Sequence, residues 1–185
     1  MRKLIYSMGV SLDGFIAGPR GEGDWAAPDE ELHRFHNEQA LQLGLHLLGR
    51  RLYEVMTYWE TAEERNPSAP QHELEFARVW KELPKIVFSS TLTTVEGNTK
   101  LSRRDPVEEV QTLKEKPGED VAVGGAALAA SLTAHGLIDE YRLFINPLVL
   151  GGGKAFFARD QRITLELIET RTFSSRVVYL RYGRV

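Results

Sequence analysis

Residues 119–157 read EDVAVGGAALAASLTAHGLIDEYRLFINPLVLGGGKAFF, and this stretch decides the fold. Val121-Ala122-Val123 is a short apolar run, as expected of a strand buried on both faces. It stops at Gly124-Gly125, and Ala126 to Ala134 then reads as a helix of Ala, Leu and Ser with no breaker inside. Gly136 ends that helix, and Leu143-Phe144-Ile145 starts the next strand. The unit is strand, glycine turn, helix, strand. A glycine pair at such a turn lets a ligand approach the backbone closely. The helix start beyond it offers unpaired N–H groups and partial positive charge, which suit an anion. Tight packing of helix on sheet is the other use of the same glycines.

Upstream, the same pattern recurs. Leu45-His46-Leu47-Leu48 looks like a buried strand ending at Gly49, and Arg50-Arg51-Leu52-Tyr53-Glu54-Val55-Met56 opens a helix. Two arginines at a helix start oppose its dipole unless an anion lies between them, or unless they point to solvent or nearby acids. A third strand, Ile86-Val87-Phe88, ends in Ser89-Ser90-Thr91, whose hydroxyls can bind phosphate or cap a turn. In an open α/β sheet, ligands sit outside the carboxyl ends of the strands. If these three strands are neighbours, Gly49-Arg50-Arg51, Ser89-Ser90 and Gly124-Gly125-Ala126 converge on one extended phosphate-bearing ligand. Arginines beside hydroxyls suit a phosphate monoester such as the 2′-phosphate of NADPH.

The remaining chain completes the sheet. Leu4 to Val10 is strand-like, Ser11 to Pro19 is turn-rich, and Asp13-Gly14 is a common turn pair. A helix from about Asp29 to Gly44 follows, with proline and acids in its first turn. His72 to Leu83 forms an amphipathic helix, and Asn98 to Leu101 forms a short strand. Asp105-Pro106 caps a helix running to about Lys116. Ile163 to Ile168 and Val177 to Tyr182 alternate in polarity around Ser174-Ser175, predicting a terminal antiparallel hairpin. Alternating strands and helices that end in consecutive strands predict an α/β fold: one domain over residues 1–185, with a mostly parallel sheet, helices on both faces and an antiparallel C-terminal edge.

Composition excludes several classes of function. The 185 residues are 42% hydrophobic and 26% charged, with net charge −3 and no cysteine. There is no basic footprint for nucleic acid or anionic membrane, and no disulfide framework, zinc-thiolate site or cysteine nucleophile. The basic amino terminus leads into a first strand rather than a long apolar segment, so a cytoplasmic protein is expected. Gly151-Gly152-Gly153-Lys154 fails the spacing of a phosphate loop. His33 and His36, one turn apart, are read as solvated helix residues rather than metal ligands, Trp59 and Trp80 as core, and Trp25 as core or rim.

Four segments carry a resemblance over nearly the whole chain: Ser11-Leu12-Asp13-Gly14-Phe15-Ile16-Ala17; Leu48-Gly49-Arg50-Arg51-Leu52-Tyr53-Glu54; Val87-Phe88-Ser89-Ser90; and Val123-Gly124-Gly125 through Gly136-Leu137-Ile138-Asp139-Glu140. In this order the chain resembles the dihydrofolate reductase-like superfamily, and within it the reductase domain of the riboflavin-biosynthesis deaminase-reductase and its stand-alone relatives. The resemblance implies an NADPH-dependent reductase that passes hydride to a small heterocyclic or carbonyl substrate, as in 5-amino-6-(5-phosphoribosylamino)uracil reductase, and a homodimer. It implies that Arg50, Arg51, Ser89 and Ser90, after Gly49, hold the 2′-phosphate and pyrophosphate. Val123, Gly124, Gly125, Ala126 and Ala127 line the rest of the dinucleotide path, and Ile16 and Ala17 lie by the nicotinamide. Asp13 and Glu31 are the candidate proton donors, directly or through water. Val123 stands where the riboflavin-pathway reductases usually carry a glutamate. A true dihydrofolate reductase and a non-catalytic NADPH sensor are the alternatives.

Overall fold

The computed structural model describes all residues, Met1–Val185. Eight strands form one sheet: β1 (Leu4–Ser11), β3 (Leu43–Gly49), β4 (Lys85–Phe88), β5 (Thr99–Ser102), β6 (Asp120–Gly124), β7 (Glu140–Asn146), β9 (Leu165–Thr172) and β10 (Val178–Arg184). Their order across the sheet is β5-β4-β3-β6-β1-β7-β10-β9. The first six in that order run parallel, and β10 pairs antiparallel with both β7 and β9. Two short strands, β2 (Phe15–Ala17) and β8 (Lys154–Ala155), make a separate ribbon.

Six α-helices connect the strands: α1 (Glu30–Leu41), α2 (Arg50–Met56), α3 (Ala62–Arg65), α4 (Gln71–Glu82), α5 (Pro106–Lys114) and α6 (Ala126–Ala134). Helix α1 starts where Asp29 accepts the Leu32 N–H at 2.9 Å, and α5 starts where Asp105 accepts from Val107 and Glu108. Two sequence boundaries need correction. The first helix ends at Leu41 rather than Gly44, because Leu43 already pairs with Asp120 in the sheet. The strand after α6 begins at Glu140, where the β1 ladder engages it.

The sheet buries both faces. Leu4, Tyr6, Val121 and Val123 pack with Leu128, Ala129 and Leu132 of α6 and Val110 of α5. On the other face, Leu48 and Val87 pack with Tyr53 of α2 and Trp80 of α4, and Phe144 packs with Leu32 of α1. Thus adjacent strands β3 and β6 send their following helices to opposite faces. That reversal opens a crevice at their carboxyl ends, where α/β sheets bind ligands.

Candidate active site

The crevice is a cleft of about 800 Å³, and residues from six elements and a loop reach it. Gly49, Arg50, Arg51, Leu52 and Val55 come from the β3–α2 junction, and Gly125, Ala126, Ala127 and Leu128 from the start of α6. Met8, Ile16, Ala17 and Lys154 close its other end. At its centre two backbones meet: a Cβ on Gly125 would lie 3.6 Å from both Cα and N of Gly49. Gly125 adopts φ +103°, a conformation open to glycine and strained for other residues. The glycine pair therefore divides its labour. Gly124 lies at a packing contact, since a Cβ there would run into Leu52 and come within 3.2 Å of His46 Nε2, whereas Gly125 makes the turn that brings backbone to the cleft.

The cations of the cleft are Arg50, Arg51 and Lys154. Arg50 is braced by Glu54 at 2.8 Å and donates to Thr91 Oγ1 at 2.7 Å, so the nearby-acid reading of Arg50 holds while its position at the cleft is kept. Thr91 links the cleft to a neighbouring pocket of about 270 Å³ at the ends of β4 and β5, lined by Ser89, Ser90, Ser102, Arg103 and Arg104. Ser89 Oγ accepts from the N–H groups of Thr91 and Leu92, a turn cap, and Ser90 is exposed. Arg103 donates to the carbonyls of Ser89 and Leu92, which fixes its guanidinium at the pocket. The three strand ends are thus neighbours, in the order β4-β3-β6, but the serines occupy an adjoining pocket rather than the main cleft.

Val123 and Gly124 do not line the cleft. Val123 borders a second cavity, of about 350 Å³, on the opposite side of the β3–β6 pair under α1 and α4. His33, His36, His46, Trp59, Trp80 and Arg142 are among its walls, and no Asp or Glu side chain is. The solvated-histidine expectation fails here. His33 is only 7% exposed and bonds to Asn37, and His36 packs on Phe144 at 4.4 Å between ring centroids. Burial pushes both His36 and His46 down to about 4, so their imidazoles are neutral at physiological pH. Trp80 is core, Trp59 is a half-buried wall of the chamber, and Trp25 is partly buried with its Nε1 donating to Glu22.

The carboxylates chosen as proton donors are placed otherwise. The Ser11 hydroxyl donates to Asp13 at 2.6 Å, and the N–H groups of Leu150 and Gly151 donate at 3.1 and 2.8 Å. These bonds hold its carboxyl below the usual range, with the Ser11 bond the largest cause. Glu31 accepts from the Ser174 hydroxyl and N–H, at 2.5 and 2.9 Å, and is likewise lowered. Both are ionised acceptors at neutral pH, and neither lines the cleft, its neighbouring pocket or the second cavity. Asp13 instead ties the β1–β2 turn to the loop before β8, whose pairing sets Lys154 opposite Ala17. Lys154 was set aside with the rejected phosphate-loop spacing, and Arg103 and Arg104 were missed in the sequence; the two arginines follow a strand end directly, and the strand order alone would have recruited them.

The fold has known counterparts. The chain shows 38% identity over 185 residues to the uncharacterized protein YyaP of Bacillus subtilis (strain 168), covering 98% of this chain and 94% of that protein. A putative riboflavin biosynthesis protein from Shewanella sp. PV-4 superposes with TM-score 0.74 at 20% identity, over 100% of this chain and 99% of the other. Dihydrofolate reductase from Enterococcus faecalis, complexed with NADP(H), superposes with TM-score 0.63 at 19% identity, over 98% and 96%. These superpositions show a dihydrofolate reductase-like fold. The RibD C-terminal domain family matches residues 2–179. A match that spans nearly the whole chain makes it a member of the RibD C-terminal domain family.

Proposed function

We propose that this protein is an NADPH-dependent reductase that transfers hydride to a small heterocyclic or carbonyl substrate. The observation that carries the proposal is the meeting of Gly49 and Gly125 in a crevice flanked by Arg50 and Arg51, with a second basic, hydroxyl-lined pocket one strand further out. The residues fit a dinucleotide. A side chain at Gly125 would crowd the gap through which a pyrophosphate approaches the start of α6. Arg51 and the N–H groups of Ala126 and Ala127 would hold the pyrophosphate. Ser90 and the Arg103–Arg104 pair would take the 2′-phosphate, and Ile16 and Ala17 would border the nicotinamide. The NADP(H) bound to the Enterococcus enzyme of the same fold supports this assignment.

The bound cofactor supplies the hydride; the chain must hold, orient and keep water from the reacting pair. Lys154 closes the cleft end beside Ala17, placed there by the Asp13 clamp. Asp13 and Glu31, ionised and already hydrogen-bonded, would act through a held water rather than by direct donation. A small molecule is the substrate, and the same reading carries a cytoplasmic homodimer with no nucleic-acid or membrane partner; no helix is long and apolar enough to cross a membrane.

Fluorescence titration tests the cofactor. NADPH binds at least tenfold tighter than NADH, Ser90→Asp removes that preference, and Arg50→Ala with Arg51→Ala weakens both nucleotides. Equal affinity for NADPH and NADH in the native protein would defeat the 2′-phosphate assignment. A protein that binds NADPH but never consumes it against carbonyl and heteroaromatic panels is a sensor instead.

A further inference from the structure

The run Gly151-Gly152-Gly153-Lys154 lacks the spacing of a phosphate loop, yet the fold carries its lysine to the cleft by another route. Lys154 arrives on a strand. β8 pairs with β2 so that Lys154 lies opposite Ala17, and two residues on the Phe156 N–H donates to the Gly14 carbonyl at 2.9 Å. Gly153, at φ +127°, lets this segment press so close to β2 that a Cβ there would run into the Ala17 carbonyl and Gly18. Ahead of it, Asp13 holds the loop through the N–H groups of Leu150 and Gly151. The backbone of Lys154 is thus fixed on both sides, while its side chain stands exposed at the cleft.

The charges of the cleft do not balance. Its one acid, Glu54, is taken by Arg50 at 2.8 Å. The side chains of Arg51 and Lys154 have neither an acid nor a hydrogen-bonding partner within the protein. They come from different walls of the cleft, Arg51 from the first turn of α2 and Lys154 from the β2–β8 ribbon. Between them lie apolar side chains, among them Met8, Ile16, Leu52 and Leu128. Two unpaired cations on one cleft with such walls repel each other and concentrate a positive field, which an anion between them relieves. The flexible four-carbon stem of lysine lets its ammonium follow that anion while the backbone stays in place. A diphosphate, with a negative charge on each phosphate, matches the pair in number.

We infer that Lys154 is a cofactor-binding residue, supplying from the ribbon the second cation of a two-sided grip on a diphosphate, with Arg51 as the first. That the diphosphate belongs to NADPH rests on the reductase proposal, whereas the grip rests on the charges of the cleft alone. It extends to any ligand with a diphosphate at this place, with or without a nicotinamide or a 2′-phosphate.

NADPH, NADH, ADP-ribose and adenosine 2′-monophosphate serve as probes, titrated by calorimetry into the native protein, Lys154→Met and Lys154→Arg. Lys154→Met weakens NADPH, NADH and ADP-ribose alike, each at least fivefold, and leaves adenosine 2′-monophosphate, which has no diphosphate, unchanged. Lys154→Arg, which keeps the charge, stays within twofold of native. Added salt weakens NADPH binding less in Lys154→Met than in the native protein, because one screened contact is gone. The urea midpoint of Lys154→Met stays native, which separates a lost contact from a lost fold. The inference is overturned if ADP-ribose does not bind, if it binds Lys154→Met as tightly as native protein, or if the loss is confined to the nicotinamide-bearing ligands. ADP-ribose binding that depends on Lys154, in a protein that never oxidises NADPH, upholds the grip and removes the reductase proposal. NADPH turnover with native affinity in Lys154→Met does the reverse.

Discussion

Gly49 and Gly125 touch across the mouth of the sheet, with the position of a Gly125 Cβ 3.6 Å from Gly49 Cα. The contact joins the carboxyl ends of β3 and β6; a Cβ at Gly125 would sit at ordinary van der Waals distance, so what opposes a side chain there is the positive φ rather than lack of space. Gly125→Ala forces φ +103° on a residue with a Cβ, at a cost of about 1–3 kcal/mol. The expected result is a lower urea midpoint and an NADPH affinity reduced at least tenfold, read by denaturation and fluorescence titration. An unchanged midpoint would show that the turn relaxes.

Asp13 acts as a clamp. Its lowered carboxyl means that its contribution is present above the ordinary Asp range and is lost as pH falls through the lower folded value. Asp13→Ala removes acceptors for Ser11, Leu150 and Gly151 together. Hydrogen exchange at the Gly151 amide should accelerate at least tenfold in the variant at pH 7. If exchange is unaltered, the clamp does not order the loop.

The chamber histidines set an acid limit. His36 and His46 fall from 6.5 to about 4 on folding, so the unfolded chain binds more protons between those values. Their contribution is therefore complete above about pH 6.5 and declines as pH drops toward 4, with a limiting slope of about 1.4 kcal/mol per pH unit for each ring. Carboxylates with lowered values, such as Glu140, lose their contribution only below the ordinary carboxylate range. Urea midpoints from pH 7 to 4.5 should fall, and His36→Phe should flatten part of that fall. A flat profile in the native protein contradicts the buried neutral rings.

Glu140 anchors three cations. Its carboxylate meets Arg142 at 2.6 Å, Arg181 at 2.7 Å and Lys3 at 3.7 Å, with a side chain only 1% exposed. Glu140→Leu strands the buried Arg142 and should cost about 3–5 kcal/mol in unfolding free energy. A loss under 1 kcal/mol would mean that Arg142 finds another partner or reaches water.

The sheet was legible because periodicity and turn chemistry are local. Val121-Ala122-Val123 before two glycines, Asp105 before Pro106 and the alternating terminal strands each announce their element within a few residues. The three anion-suited strand ends were legible for the same reason. What they do together was not, because sheet order depends on long-range pairing: β4, β3 and β6 become neighbours only once β6 inserts between β3 and β1. That pairing separated Ser89 and Ser90 from the main cleft and brought in Arg103 and Arg104, while the β2–β8 ribbon brought in Lys154.

By itself, then, the sequence determined the element types, the glycine turns and the basic residues beside them, since hydrophobic pattern and backbone freedom act over short spans. Tertiary structure alone decided the protonation and use of the polar side chains. Asp13 and Glu31 read as free carboxylates until the Gly151 N–H and the Ser174 hydroxyl, far along the chain, bonded to them, and His36 looked solvated until α1 packed it on Phe144. A side chain's charge and accessibility follow from neighbours far along the chain, and those neighbours are chosen only when the sheet closes.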